Sequence, residues 1–170
     1  PSYKVFYSKE HAVEIRTNFE DNRTTFDRLE KDGHAKVRKF VDRAKEQYDI
    51  SLDFLYRDYD SLLDFMKPQL LAKGLKLGLF NSVDDMAKKE FSNEQIRQIL
   101  EYTMVFIGGS PDRTPGFYSL MAHIDLDQGV FYPQGGICKL AEAMVRICKA
   151  HGVKFQFDNP VLSITVKQGR

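Results

Sequence analysis

Two adjacent glycines, Gly135 and Gly136, separate a short aromatic segment ending at Pro133 from a helix with an apolar stripe. Only a residue without a Cβ takes a positive φ freely or lets its backbone lie flat against a ligand. The helix that follows directs free N–H groups and the positive end of its dipole toward whatever lies in front of it. The pattern predicts a sharp turn, which either is only a turn or holds a planar or anionic group.

Alternating short segments predict strands at both ends of the chain. Residues 3–7 and 12–16 are expected to pair as a hairpin across a polar, exposed turn. An aromatic strand is expected to lead into Pro133. Two further strands are expected after Gly152, the last over residues 161–166. The partner of that last strand is expected to lie outside this chain, as part of a larger protein.

Periodic apolar positions predict helices through the middle of the chain. They are expected over residues 22–31 and 34–57, after Ser82, from a capping box of Ser92 and Gln95 to about Phe106, from Pro115 in a first turn to about His123, and after Gly136. Helices with a small sheet indicate an α+β fold.

The composition excludes some classes of function. With 42% hydrophobic residues, 29% charged residues and a formal net charge of +1, the chain lacks the strongly basic character of nucleic-acid-binding proteins. Cys138 and Cys148 lie about 15 Å apart along one predicted helix, which is too far for a disulfide. Free thiols favour a reducing, cytoplasmic location, and the helix stripe predicts that Cys148 is buried. The four histidines show no metal-ligand spacing, so no metal site is expected.

A leucine-rich stretch over residues 60–80 has two interpretations. Large apolar residues crowd together there, interrupted by Pro68, Gly74 and Gly78 and interspersed with lysines. Short core helices are one interpretation, and the one we prefer. The other is an amphipathic surface in a membrane interface, which would make the protein peripherally membrane-associated.

Several motifs in order resemble one family. They are Gly-Gly-Ser-Pro at 108–111, Thr-Pro at 114–115, Phe-Tyr-Ser-Leu-Met at 117–121 and Gly-Val-Phe-Tyr-Pro-Gln-Gly-Gly at 129–136. Together they resemble the bacterial phytoene (carotenoid) desaturases, within the flavin-dependent amine-oxidase superfamily. The resemblance covers nearly the whole chain.

This resemblance implies a helix-rich substrate domain with a small mixed or antiparallel sheet, inserted into an FAD-binding Rossmann-type domain. Residues 1–132 would be the substrate domain, and residues 133–170 would return to the FAD-binding domain. Most of that second domain, including its Gly-x-Gly-x-x-Gly fingerprint, is absent from this sequence. The FAD site would be incomplete here, and the chain alone is expected to be inactive.

The resemblance also implies roles for individual residues. The substrate would be a long apolar polyene such as phytoene, which enters a tunnel from the membrane and loses hydride to the flavin. Gly135, Gly136 and, through its backbone, Val161 would hold the flavin. Aromatic residues would line the tunnel: Phe117, Tyr118, Phe131 and Tyr132.

Asp64 and Lys67 match two positions that the resemblance assigns to polar catalytic helpers, although the second is an arginine in the family. Lysine lacks the guanidinium fork, and a surface ion pair at i,i+3 is the alternative.

Two other functions remain open at this point. The chain could belong to a related carotenoid isomerase or oxidase, since these share the motifs. It could also be a non-enzymatic helical module that docks on a membrane or a partner protein through residues 60–80, although that gives no reason for the glycine pair.

Overall fold

The computed structural model describes residues 2–55, 78 and 80–166. They fall into two compact units, Pro1–Val130 and Phe131–Arg170. The strands and α-helices are β1 (Tyr3–Phe6), β2 (Ala12–Ile15), α1 (Arg23–Leu29), α2 (Gly33–Leu55), α3 (Val83–Glu90), α4 (Glu94–Glu101), α5 (Leu120–His123) and α6 (Cys138–Ala150). Short 3₁₀ helices cover Phe19–Asn22, Tyr102–Ile107 and Gly116–Ser119, and a π-helical turn covers Ile124–Gln128.

The predicted hairpin is confirmed. β1 and β2 pair antiparallel with Val5 opposite Val13 and Tyr3 opposite Ile15. Val13 and Ile15 are fully buried, because side chains that alternate along a strand place every second residue on the core face. The helix-rich α+β class with a small antiparallel sheet is therefore correct for the described residues. Insertion into a Rossmann-type domain stays a prediction.

The core of the first unit forms around α2. The helical spacing of Val37, Phe40, Val41 and Ala44 puts all four on one face, and all four are buried. The predicted helix over residues 34–57 is thus confirmed as far as Leu55. The buried apolar side chains that cluster with this face are Val13, Ile15, Phe19, Phe26, Phe91, Ile96, Ile99, Leu100, Ala122 and Leu126.

The start of α3 is predicted correctly and the start of α4 is not. Ser82 caps α3 in a reciprocal box with Asp85. The predicted box of Ser92 and Gln95 is wrong, because Asn93 caps α4 by accepting from the backbone N–H groups of Gln95 and Ile96. The backbone N–H of Ser92 instead donates to Glu30 Oε2 at 3.0 Å. An amide oxygen one residue later serves the same free donors equally well.

Asn93→Ala is expected to lower the free energy of unfolding by about 1 kcal/mol, because two helix N–H groups lose their acceptor. Ser92→Ala is the matched control and is expected to leave stability unchanged within about 0.5 kcal/mol. Urea denaturation followed by circular dichroism measures both. A larger loss from Ser92→Ala than from Asn93→Ala would contradict this assignment.

Two helical runs differ from the predicted ones in their ends. α4 ends at Glu101 and continues as a 3₁₀ helix to Ile107, where Gly108 turns the chain at φ 68°. Pro115 precedes its helical run rather than lying in the first turn, and the run extends past His123 to Gln128. Gly129, at φ 84°, ends it, with its N–H donating to Ile124 O at 2.9 Å.

The described part of the second unit contains α6 and chain without regular secondary structure. The strands predicted before Pro133 and directly after Gly152 are not formed, since the described part of this unit contains no paired strand. The strand over residues 161–166 stays a prediction, because its partner was expected outside this chain. A strand needs a partner backbone as well as an alternating pattern. Cys148 was expected in the core but is only half-buried, and α6 has no buried residue. Apolar residues at helical spacing show which face of a helix is apolar. That face is buried only where another part of the protein packs against it.

Candidate functional site

The glycine pair forms the sharp turn that the sequence predicts. Gly135 and Gly136 have φ values of 85° and 92°, which residues with a Cβ rarely adopt. The backbone N–H of Gly136 donates to Pro133 O at 2.9 Å, and Gly136 O accepts from Lys139 N at 3.0 Å. α6 begins two residues after the pair. The glycines are therefore required by the backbone conformation itself.

One side of this turn is open. A Cβ built on Gly136 would meet only Tyr132 Oη, at 3.7 Å, whereas one on Gly135 would meet Lys139 Cγ at 3.0 Å. The first turn of α6 contains no acidic residue, so nothing there opposes an anion at the helix N-terminus. An exposed glycine backbone beside a helix N-terminus is compatible with a flat or anionic group.

The other predicted site residues of the second unit lie on its surface. Phe131, Tyr132 and Val161 are 84%, 74% and 77% exposed. Val161 lies in the segment after α6, where its backbone is not part of a paired strand. Their roles beside flavin and substrate stay predictions.

Phe117 and Tyr118 belong to the first unit. They lie on the 3₁₀ helix Gly116–Ser119, with their rings edge to face at 5.3 Å between centroids. Gly116 allows this helix to pack closely, since a Cβ there would lie 2.8 Å from Gly78 O. That these two residues and the aromatic pair of the second unit line one tunnel stays a prediction.

Asp64 and Lys67, the predicted polar helpers, lie outside the described residues. The same holds for residues 60–77 and 79 of the predicted membrane-facing stretch. Of the rest of that stretch, Phe80 is described and is 87% exposed. In the described part of the chain, no helix is long and apolar enough to cross a bilayer, and no group of side chains has the makings of a metal site.

A buried carboxylate held by two tyrosines is a feature that the sequence analysis missed. Asp125 lies on the π-helical turn and is 7% exposed. Its Oδ2 accepts from Tyr3 Oη at 2.7 Å, and its Oδ1 accepts from Tyr102 Oη at 2.5 Å. The sequence did contain a signal for this cluster. Asp125 lies between the apolar residues Ile124 and Leu126, and an acidic residue on a core-facing helix needs buried hydrogen-bond partners.

Burial controls the protonation of this cluster. It raises the pKa of Asp125, and the two phenol hydrogen bonds oppose that rise. Burial, together with the Asp125 carboxyl, also raises the pKa values of Tyr3 and Tyr102. Both phenols therefore remain protonated donors at neutral pH. The cluster ties the hairpin and the end of α4 to the π-helical turn that precedes Gly129.

His123 lies on the same helical run and is also buried. Burial lowers its pKa, and its Nδ1 lies 3.2 Å from Asp127 Oδ2. Asp127 in turn accepts from Arg38 Nη1 at 2.9 Å. The polar residues of the π-helical turn are thus held by partners on α2, β1 and the segment after α4.

Glu101, like Asp125, has a carboxyl group whose pKa is raised. Burial raises its pKa to about 7 from an ordinary 4.5, with a further rise from Asp84 and opposition from Arg97 and Lys88. Its Oε1 is buried without a hydrogen-bond partner. The folded state therefore binds the proton more tightly than the unfolded chain, so stability falls as the pH rises from 4.5 to 7.

Glu101→Gln is expected to remove this fall in stability between pH 4.5 and pH 7. Glu101 is half-exposed, so solvent screening reduces the effect of its pKa shift on stability. Between pH 4.5 and pH 7, the free energy of unfolding of the variant is expected to rise by about 1–2 kcal/mol relative to that of the native protein. Denaturation at several pH values in this range measures it. Glu46→Gln, at an exposed position on α2, is the control, and equal pH profiles for native and Glu101→Gln protein would refute the shift.

Comparison with known proteins matches the whole chain. The family described as "Flavin containing amine oxidoreductase" matches residues 2–170. The carotenoid 3,4-desaturase of Haloarcula japonica is 26% identical over 97% of this chain and 34% of its own length. The phytoene desaturase of Cercospora nicotianae is 28% identical over 99% of this chain and 27% of its own length.

A third relative is the zeta-carotene-forming phytoene desaturase of Myxococcus xanthus, 26% identical over 100% of this chain and 33% of its own length. The chain thus spans about a third of the length of the curated relatives it matches. The family match extends over both units and includes the open glycine turn. The chain belongs to the flavin-containing amine oxidoreductase family.

Proposed function

We propose that this chain is part of an FAD-dependent carotenoid desaturase that acts on phytoene-like polyenes. The observation that carries the proposal is the open face of the Gly135–Gly136 turn, in a chain matched along its length by a flavin-dependent family. The three relatives described above are named as carotenoid or phytoene desaturases, which supports a polyene substrate.

In this proposal, the second unit holds the flavin through its backbone. Gly135 and Gly136 let the chain approach a flat ring system closely, and the backbone of Val161 contributes a further contact. FAD is the form proposed, and it supplies the acceptor for a hydride leaving the polyene while a proton leaves the neighbouring carbon. The protein's part is to position the substrate and exclude water.

The proposed substrate contacts are apolar because a polyene offers no polar group. Phe131 and Tyr132 precede the glycine turn directly, so their rings belong to the same segment as the proposed flavin contact. Phe117 and Tyr118 form an aromatic pair in the first unit. Aromatic rings supply large contact areas with few rotatable bonds, which suits a long apolar ligand.

The domain organisation is proposed on the same basis. Residues 1–132 would form the substrate domain, and residues 133–170 would join an FAD-binding domain of the full-length protein. Asp64 and Lys67 are proposed as polar helpers near the substrate. A cytoplasmic enzyme that meets the membrane through residues 60–80 would take a polyene directly from the bilayer.

An assay of the full-length protein tests this proposal. Purified protein is incubated with phytoene in liposomes, FAD and a quinone, and the products are separated and weighed by mass spectrometry. A desaturase gives products lighter by two hydrogens per step. Products of unchanged mass would indicate an isomerase, added oxygen would indicate an oxidase, and a protein that never retains FAD would overturn the proposal.

A further inference from the structure

We draw no further inference here: the strongest candidate, the exposed apolar face that Leu140, Met144 and Ile147 form on α6 in the second unit, carries none because nothing in the structure shows what covers it.

Discussion

Gly136→Val is expected to lower the flavin content of the full-length protein at least about tenfold. Gly136 has a φ of 92°, and holding a residue with a Cβ in such a conformation costs about 1–3 kcal/mol. The valine side chain would also project into the open space on this face of the turn, where we propose that the flavin lies. The measurement is the amount of flavin released on denaturation, per mole of purified protein.

Gly152→Val is the matched control for this prediction. Gly152 lies in the same unit, has a φ of 83° and has nothing within 4 Å of a built Cβ. Valine there carries a similar backbone strain away from the glycine pair, so flavin content is expected to stay near the native value. If Gly152→Val lost as much flavin as Gly136→Val, the effect would be one of strain and not of flavin contact.

Phe40→Ala is expected to lower the free energy of unfolding of the first unit by about 4 kcal/mol. Phe40 is 1% exposed on α2, and its ring meets that of Phe91 edge to face at 5.9 Å. Truncating a buried phenylalanine removes apolar burial and leaves a cavity, which together cost about 3–5 kcal/mol. Urea denaturation followed by circular dichroism measures the loss.

Phe106→Ala provides the comparison in the same unit. Phe106 is 67% exposed, and its ring meets that of Tyr102 at 6.0 Å. Its truncation is expected to cost less than about 1 kcal/mol. Similar losses from the two variants would mean that α2 does not carry the core described here.

Local patterns in the sequence were enough to predict part of this fold. The apolar spacing of α2 and the alternation of β1 and β2 each report one buried face, and a single face is what a periodic pattern encodes. The glycine turn was predicted for a similar reason, since Gly135 and Gly136 occupy a backbone conformation that few other residues tolerate.

Features that depend on distant partners were not predicted. Asp125 is held by Tyr3 and Tyr102, which lie 122 and 23 residues away along the chain, and no local pattern pairs them. The cap of α4 was misplaced by one residue because Ser92 and Asn93 are both good capping residues. The strand over residues 161–166 stays a prediction, because the partner backbone that it requires was expected outside this chain.

The most direct test of the central proposal is anaerobic mixing of the flavin-loaded full-length protein with phytoene in liposomes. The proposal predicts that the visible absorption band of the oxidised flavin bleaches, in step with the appearance of a polyene lighter by two hydrogens. A flavin band that stays unchanged while phytoene is recovered intact would contradict it.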